Sequence, residues 1–153
     1  MNILLTTLNS KFIHTALSIR YLKSYCKEEF PNIEIEEYTI NQNSDYIARE
    51  IYKKNPDIVA FSSYIWNMRE TLEITETLKT VKPDITIILG GPEVSYNGEE
   101  ILEANNHIDY IIYGEGEETL KELLLNIKNK KSMKLVEGII YSCLLYTSPS
   151  PRD

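Results

Sequence analysis

Apolar runs and amphipathic stretches alternate along most of this chain. Short, unbroken apolar runs predict strands that are buried on both faces, at residues 2–7, 58–61, 85–89 and 110–113. Residues 33–39 alternate apolar and charged positions, which predicts a strand with one wet face at a sheet edge. Apolar residues at helical spacing predict helices between the strands, at residues 15–29, 45–54, 68–82, 99–104 and 117–129.

The spacing within the helical stretches also predicts how each helix begins and which side chains it buries. Ser44 or Asp45 is placed to cap the second helix. Residues 136–141 begin either another strand or a following domain. The predicted inward positions of the first and third helices are Leu17, Tyr21, Leu22, Tyr25, Ile74, Leu78 and Val81.

Strand and helix alternate strictly in these predictions. This pattern is typical of the α/β class, in which helices cover both faces of a parallel sheet through right-handed crossovers. Because the second strand has a wet face, the order 2-1-3-4-5 is favoured over the six-stranded dinucleotide-binding arrangement. The sequence therefore predicts a three-layer, flavodoxin-like (Rossmann-like) fold with a five-stranded parallel sheet.

The composition adds mainly exclusions. The 153 residues suffice for one domain, and 42% hydrophobic residues supply a core. A formal net charge of -7 argues against nucleic-acid binding, which depends on Lys and Arg neutralising phosphates. No polybasic segment, signal peptide or membrane-length apolar run is found in the sequence. We therefore expect a cytoplasmic protein without a nucleic-acid or membrane partner.

The last residues differ in character from the rest. Residues 143–153 contain Ser and Pro, begin in mid-strand and resemble the in-frame translation of a sequencing adapter. On this interpretation residues 1–135 form the domain, 136–142 begin a linker, and 143–153 are foreign and are expected to be disordered or poorly packed. Cys26 is then the single native cysteine, too few for a disulfide framework or a cysteine-ligated cluster. The alternative interpretation of residues 143–153 is a natural Ser/Pro-rich linker.

The residues with potential chemistry lie in loops that directly follow strands. Carboxyl ends of parallel strands lie at one edge of a sheet, so these loops are expected to converge on one ligand site. Gly90 and Gly91 have no Cβ to hold a ligand away, and Pro92 ends the strand. They form either a ledge for a large flat ligand or a tight strand-to-helix turn. The loops span residues 7–14, 62–67, 90–97 and 114–117.

Side chains in two of these loops offer polar and aromatic contacts. Ser62 and Ser63 carry hydroxyls that either bind the polar edge of a ligand or cap the following helix. Tyr64 either forms a pocket wall with Trp66 or packs under the loop. Glu93 either accepts a hydrogen bond from an amide-bearing ligand or is solvated at the surface.

Glycine and glutamate alternate at residues 114–117, where a helix is predicted to begin. Gly114 and Gly116 let backbone N–H groups meet a ligand, whereas Glu115 either joins the site or stabilises the helix start through its dipole. The run does not extend to GxGxxG, because Thr119 occupies the last glycine position, and the sequence contains no P-loop.

The two histidines give no catalytic set. His14 lies in a predicted site loop and either ligates a metal, acts in acid–base chemistry or is structural. His107 precedes a strand and is expected to face solvent. No nucleophile–base–acid set can be assembled from these residues, so the sequence predicts a binding domain rather than a catalyst.

Together, the strand-end loops resemble the N-terminal cobalamin-binding domain of B12-binding radical SAM proteins. The resemblance covers residues 1–141 and rests on LNSKFIH at 8–14, FSSY at 61–64, GGPE at 90–93 and YGEGE at 113–117. It implies cobalamin as the cofactor and no metal ligands supplied by the chain. The implied cofactor-binding residues are Thr7, Leu8, Asn9, His14, Ser62, Ser63, Tyr64, Gly90, Gly91, Pro92, Glu93, Gly114, Glu115 and Gly116.

The chain departs from one motif of cobalamin-binding domains of the methionine-synthase type, which carry DxHxxG, SxL and GG. The serine motif resembles residues 63–65, and the diglycine resembles residues 90–91. The first motif is absent, because Phe12 replaces its Asp and Leu17 its last Gly. The resemblance therefore implies base-off, His-off binding, with the nucleotide tail between the strand edge and the diglycine.

In this family a radical SAM barrel follows the domain and holds a [4Fe-4S] cluster on a CxxxCxxC motif, which this sequence lacks. We therefore expect the cluster, S-adenosylmethionine and the radical SAM domain that partners this one only in a missing C-terminal part. The parent is expected to be a radical SAM enzyme, a methyltransferase or related. Two alternatives stay open: a flavodoxin-like domain that binds FMN, and a cofactor-free docking module.

Overall fold

The computed structural model of this chain describes residues 1–10, 17–64, 67–114 and 116–141. Six strands and five α-helices alternate within these ranges. The strands are β1 (Ile3–Asn9), β2 (Ile33–Thr39), β3 (Ile58–Ser62), β4 (Thr86–Gly90), β5 (Tyr110–Ile112) and β6 (Ile139–Tyr141). The helices are α1 (Leu17–Cys26), α2 (Ser44–Lys53), α3 (Met68–Val81), α4 (Gly98–Ala104) and α5 (Glu117–Lys128), with 3-10 turns at Pro92–Val94 and Met133–Leu135.

The strands form one sheet in the order β2-β1-β3-β4-β5-β6. The first five are parallel, which confirms the predicted α/β class and the order 2-1-3-4-5. The sheet has six strands rather than the predicted five, because β6 pairs antiparallel with β5. This strand lies within residues 136–142, for which a linker is predicted. Gly138, at a φ of 87°, turns the chain back, and its carbonyl oxygen accepts from Tyr113 N at 3.0 Å.

The sheet separates two apolar cores, as expected for strands buried on both faces. Along β3, Val59 and Phe61 face the core that contains α2, α3 and α4, whereas Ile58 and Ala60 face α1 and α5. The predicted edge position of β2 is confirmed, and Glu34 on that strand is exposed. None of the described helices is long and apolar enough to cross a membrane.

The buried face of α1 differs from the prediction. Tyr21 and Tyr25 are 64% and 45% exposed, and the face toward the sheet is formed by Ile19, Leu22 and Cys26. Tyrosine has a polar tip that favours the surface, so its place in a helical pattern does not by itself indicate burial. The side chain of the predicted core residue at position 17 lies outside those that the structure describes.

Two further predictions about single residues in helices are wrong. Val81, predicted to point inward, is 52% exposed in the last turn of α3. The cap of α2 is Asn43 rather than Ser44 or Asp45: its side-chain oxygen accepts from the backbone N–H groups of Asp45, at 2.8 Å, and Tyr46. An N-cap residue precedes the first helical residue, and asparagine is among the preferred caps.

His107 is also placed differently from the prediction, since it is 9% exposed instead of facing solvent. The Thr75 hydroxyl donates to the Leu72 carbonyl oxygen at 3.0 Å and therefore accepts from His107 Nε2, at 2.9 Å. Burial lowers the pKa of His107 below 6.5. The histidine thus anchors the segment before β5 on α3, a role that depends on a partner distant in sequence.

Candidate functional site

The carboxyl ends of the central strands lie at one level of the sheet. Thr7 on β1 pairs with Ser62 on β3, which in turn pairs with Gly90 on β4. Gly114 and Gly116 follow β5, which neighbours β4. The described parts of the predicted site loops therefore meet at one rim of the sheet, and this convergence was predictable from the strand pattern.

Gly91 allows the loop after β4 to pack directly on the loop after β3. It has a φ of 105°, and a Cβ added to it would lie 2.6 Å from the Ser63 carbonyl oxygen and 2.8 Å from Ser63 N. Ser63 N donates to the Gly90 carbonyl oxygen at 2.7 Å, and Glu93 N donates to the Ser63 carbonyl oxygen at 3.3 Å. Gly91 is therefore required by the turn itself, and neither glycine places a side chain at the rim.

A cavity of about 150 Å³ opens at this rim and extends between the sheet and helices α1 and α5. The cavity exists because some of its lining residues are small: Ala60 and Gly90 on the strands and Gly116 before α5. Its other lining residues are Leu5, Ile19, Leu22, Phe61, Ser62, Ile88, Gly91, Ile112, Gly114, Glu117 and Leu120. The cavity therefore has mainly apolar walls and opens where the predicted site residues converge.

A wider, open depression of about 510 Å³ adjoins the cavity and shares Gly91 and Gly114 with it. Tyr96, which is 98% exposed, and Tyr113 contribute aromatic surface. The Ser95 hydroxyl donates to the Gly91 carbonyl oxygen at 2.9 Å and accepts from Gly114 N at 3.4 Å. Ser95 thus holds the loops after β4 and β5 together, a role that was not predicted.

Asn67 is a second structural residue of the rim that the sequence did not single out. It is fully buried, and its Nδ2 donates to the Leu8 carbonyl oxygen at 3.0 Å. Its Oδ1 accepts from Tyr64 N at 2.8 Å. One amide side chain therefore ties the end of β1 to the loop after β3. A helix-capping motif is the only local signal at this position, and it does not reveal these distant partners.

The predicted residues at the end of β1 are engaged within the protein. Thr7 Oγ1 donates to the Ser62 carbonyl oxygen at 2.8 Å, and Asn9 Nδ2 donates to Glu37 Oε1 at 2.8 Å. The Leu8 side chain is buried in the core on the α2 and α3 face, away from the cavity. Arg20 binds the other oxygen of Glu37, at 2.6 Å, which fixes this carboxylate between β1 and α1.

The remaining predicted residues fall into three groups. Ser63 is fully buried, and its hydroxyl has no hydrogen-bond partner among the described residues. Pro92 is exposed and Glu93 half-buried, and both stand at the rim rather than in the cavity. His14 and Glu115, with Trp66, lie outside the described residues.

The site offers binding surfaces rather than a set of reacting groups. Glu117 is the only ionisable side chain among the described residues that line the cavity. No group of three or more His, Cys, Asp or Glu able to hold a metal occurs in the described part of the chain. Cys26, the last residue of α1, faces the sheet, and burial raises the pKa of its thiol to about 11, so at neutral pH it is protonated and a poor nucleophile.

A parallel α/β sheet with a diglycine rim and a cavity beside it defines a cofactor-binding domain of the flavodoxin-like class. The family model described as the B12 binding domain matches residues 3–124. This chain belongs to the B12-binding domain family.

Curated relatives include an uncharacterized methyltransferase, PH0819, of Pyrococcus horikoshii, which is 28% identical over 82% of this chain and 27% of its own length. The cobalamin-dependent radical SAM methyltransferase TokK of Streptomyces tokunonensis is 33% identical over 45% of this chain and 10% of its own. The chain thus spans about a quarter or less of these relatives.

Two solved structures share the fold. One is the cobalamin-dependent S-adenosylmethionine radical enzyme OxsB with aqua-cobalamin and S-adenosylmethionine bound, at a TM-score of 0.79 and 22% identity, covering 98% of this chain and 22% of OxsB. The other is the radical S-adenosylmethionine methyltransferase TsrM from Kitasatospora setae with cobalamin and a [4Fe-4S] cluster bound, at a TM-score of 0.77 and 19% identity. It covers 98% of this chain and 30% of TsrM.

Proposed function

We propose that this chain binds cobalamin in the base-off, His-off form and that the cavity beside the diglycine receives the nucleotide tail. The cavity is the observation that carries the proposal. It lies at the carboxyl ends of the strands, is lined mainly by apolar side chains, and is open between the sheet and helices α1 and α5. A volume of about 150 Å³ also matches cavities that bind a single aromatic ring, as engineered apolar cavities do.

The chemistry of the rim also fits such a cofactor. Gly91 forms a turn that has no room for a Cβ, so no side chain separates the backbone from a bound molecule. The buried Ser63 hydroxyl has no hydrogen-bond partner among the described residues, and a buried polar group of this kind is favourable only when a ligand or water satisfies it. Both features support a polar ligand edge at the diglycine.

We assign roles to the predicted residues by where they stand. Ser62, Gly90, Gly114 and Gly116 line the cavity and hold the tail as it enters, whereas Thr7 supports this edge by donating to the Ser62 carbonyl oxygen. Leu8 and Asn9 contribute through the strand-end backbone, because their side chains are engaged elsewhere. The rim residues proposed to contact the ring system are Ser63, Tyr64, Gly91, Pro92 and Glu93, with His14 and Glu115 retained from the sequence.

The His-off state is proposed from the loop after β1. In the DxHxxG motif a carboxylate precedes the histidine, and carboxylate partners orient ligating imidazoles and raise their basicity. Phe12 stands at that position here. His14 therefore lacks its usual sequence partner, and we propose that it does not coordinate cobalt. When bound, cobalamin supplies cobalt-centred methyl transfer, whereas the residues of this chain position the cofactor.

The proposal extends to the protein of which this domain is part. We propose a cytoplasmic radical SAM enzyme, a methyltransferase or related, whose radical SAM domain carries the [4Fe-4S] cluster and binds S-adenosylmethionine. The relatives and structural neighbours described as cobalamin-dependent radical SAM proteins support this assignment. Residues 1–135 are then the cobalamin-binding domain, to whose sheet β6 adds one strand.

A spectroscopic binding experiment tests the proposal. The purified chain is incubated with hydroxocobalamin, desalted, and examined by absorbance and, after reduction to cob(II)alamin, by electron paramagnetic resonance. We expect retained cofactor with a base-off absorbance spectrum and no nitrogen coupling to cobalt. Complete loss of cobalamin on the column would contradict cobalamin binding, whereas nitrogen coupling in a retained complex would contradict the His-off state alone.

The same column separates cobalamin binding from the FMN alternative. FMN and hydroxocobalamin are offered to parallel samples, and the absorbance of each is measured after desalting. We expect FMN to elute with the small molecules, because the polar side chains at the end of β1 are engaged within the protein, Thr7 with Ser62 and Asn9 with Glu37. Retention of FMN without retention of cobalamin would favour the flavodoxin alternative.

A further inference from the structure

We infer that the cavity selects cobamides by their lower base, accepting apolar bases such as dimethylbenzimidazole and discriminating against purines such as adenine. This inference rests on the proposed function, because it concerns the part of the cofactor that enters the cavity. It adds a specificity to that function: the chemistry of the cavity floor determines which member of the cobamide class the chain retains.

The cavity has two levels, which the strand register defines. Ser62 and Gly90 lie side by side at the mouth, and Thr7 pairs with Ser62 on the neighbouring strand. Two residues earlier on the same strands lie Leu5, Ala60 and Ile88, which point to the same face of the sheet because side chains alternate with a period of two. The floor is thus about 6.6 Å below the mouth, roughly the reach of a bicyclic base.

Ala60 creates the space at this level. Its neighbours in the register, Leu5 and Ile88, are large and almost fully buried, whereas Ala60 leaves room and is 8% exposed. Protein cores are normally packed with few voids as large as a water molecule. A small residue between two large ones, beneath a glycine at the mouth, therefore indicates a space that a ligand group fills.

The polar groups of the cavity stand at its mouth. Among the described lining residues, only Ser62 and Glu117 have polar side chains. Ser62 belongs to the mouth level, and Glu117 is the first residue of α5, which begins on the same side of the sheet as the strand ends. Within the described part of the chain, the floor and walls, formed by Leu5, Ile88 and their apolar neighbours, contain no side-chain donor or acceptor.

This distribution of polarity distinguishes the two kinds of base. Dimethylbenzimidazole presents two methyl groups and an apolar ring edge to the floor. Adenine presents an exocyclic amine and ring nitrogens, which lose their water without gaining partners. An unsatisfied buried polar group is unfavourable enough to weaken binding by roughly 10-fold. We therefore expect adenine-containing cobamide to bind at least about 10-fold more weakly than cobalamin.

Displacement of the base from cobalt favours the adenine cobamide, whereas the apolar cavity floor favours cobalamin. Adenine is the less basic and hence the weaker cobalt ligand, so conversion to the base-off form is easier for the adenine cobamide. A preference for cobalamin in a base-off complex must therefore come from the cavity. A phenolic cobamide, whose base does not bind cobalt and is largely apolar, is expected to bind at least as tightly as cobalamin.

The test compares four corrinoids by equilibrium titration of the chain: cobalamin, adeninyl cobamide, cresolyl cobamide and cobinamide, which has no base. The expected order is cresolyl cobamide and cobalamin tightest, with adeninyl cobamide at least about 10-fold weaker. Equal affinity for cobalamin and adeninyl cobamide would overturn the selectivity while leaving the proposed function intact. Binding of none of the four would overturn both.

Substitutions at the cavity floor test whether the cavity is the cause of the selectivity for the lower base. Ala60→Leu fills the floor and is expected to weaken cobalamin binding by at least about 10-fold while changing cobinamide affinity less than about twofold. Ala104→Leu makes the same change on exposed surface at the end of α4 and serves as the matched control. Unchanged cobalamin affinity in a folded Ala60→Leu variant would contradict the inference.

A second variant keeps the inference testable if leucine prevents folding. Ala60→Ser adds one hydroxyl to the floor with little change in volume and gives a buried amine or ring nitrogen a partner. We expect it to narrow the ratio of cobalamin to adeninyl cobamide affinity by several-fold. A ratio identical to that of the original chain would contradict a role for floor polarity. Circular dichroism and thermal unfolding report the fold of each variant.

Discussion

Gly91 has a φ of 105°, a conformation that side chains other than glycine rarely adopt, and an added Cβ would lie 2.6 Å from the Ser63 carbonyl oxygen. The conformation and the close contact both involve backbone atoms, which cannot move aside, so even the single methyl group of alanine is too large. We expect Gly91→Ala to lower the free energy of unfolding by about 1–3 kcal/mol from strain alone, measured by urea denaturation.

Gly90 supplies the matched control for that measurement. Its φ is not in the left-handed region, and a Cβ there would meet Ile112 Cβ at 3.9 Å, an ordinary contact. Gly90→Ala is therefore expected to change the free energy of unfolding by less than about 1 kcal/mol. Equal stability of the two variants would show that the turn is not restricted to glycine at position 91.

Asn67 connects the end of β1 to the loop after β3 through two side-chain hydrogen bonds. Truncation to alanine removes the hydrogen bonds that Asn67 makes with the Leu8 carbonyl oxygen and with Tyr64 N. We expect Asn67→Ala to lower the free energy of unfolding by about 1–3 kcal/mol in urea denaturation. Asn106→Ala, at an exposed asparagine, is the control and should change stability by less than about 0.5 kcal/mol. Equal losses in both variants would contradict the role of Asn67.

His107 makes stability depend on pH. Burial lowers its pKa below the value of 6.5, with Lys79 acting in the same direction and Glu76 and Asp109 opposing it. The unfolded chain therefore binds a proton more readily, so the contribution of His107 to stability is present above about pH 6.5 and is lost as the pH falls below it. We expect the free energy of unfolding to fall between pH 7.5 and about pH 5.5, and His107→Gln to reduce that slope. An unchanged slope in the variant would contradict this account.

The backbone turn at the diglycine was predictable from local sequence, whereas the roles of residues that depend on distant partners were not. Gly90 and Gly91 stood out because glycine before proline is a strong local feature, and the structure places them at the rim. Asn67, Ala60 and Ser95 did not, because their roles arise from the register of separate strands and from contacts between loops. The residue types alone do not encode those neighbours.

The strands also were predictable where the local pattern is clear and were not where they depend on distant contacts. Unbroken apolar runs predicted four of the five parallel strands, which lie inside the sheet. The alternation at residues 33–39 predicted the fifth at a sheet edge and thereby the order. β6 was ambiguous, since a run as short as Ile139–Tyr141 has no periodicity of its own. Only its antiparallel pairing with β5, after the turn at Gly138, makes it a strand of this sheet.

β6 closes the sheet beside β5, and its contribution is measurable by truncation. Ile139 and Ile140 are almost fully buried, and Ile140 packs so closely on α4 that a Cβ at Gly98 would lie 2.8 Å from it. Removing both isoleucines from the core is expected to lower the free energy of unfolding by roughly 3 kcal/mol or more. We therefore expect a chain ending at Gly138 to unfold at a clearly lower urea concentration than the full chain.

A chain ending at Tyr141 is the control for this truncation. It keeps β6 and lacks residues 142–153, most of which are interpreted as adapter translation. We expect it to match the full chain in its urea midpoint. If instead it lost as much stability as the chain ending at Gly138, the adapter interpretation would be contradicted. If neither truncation altered the midpoint, the assignment of β6 to the core would be wrong.

The two faces of the sheet divide structural and binding roles. On the α2, α3 and α4 side, the strands contribute large apolar residues such as Phe61 and Leu89, and the core is closed. On the α1 and α5 side, Ala60 and Gly90 leave the cavity open toward the rim. Ligand binding is therefore expected to stabilise α1 and α5 against the sheet more than the opposite helices.

Hydrogen exchange with and without cobalamin tests this asymmetry across the domain. A ligand that binds only the folded chain raises its stability by about 2.7 kcal/mol at a free concentration 100 times its Kd, and thermal unfolding should shift upward accordingly. Because the cavity lies between the sheet and α1 and α5, amide exchange should slow most in Leu17–Cys26 and Glu117–Lys128 under conditions of local opening. Cobinamide, which lacks the tail, should give less protection in these helices. Protection concentrated in Ser44–Lys53 and Met68–Val81 instead would place the ligand on the other face and contradict the assignment of the site.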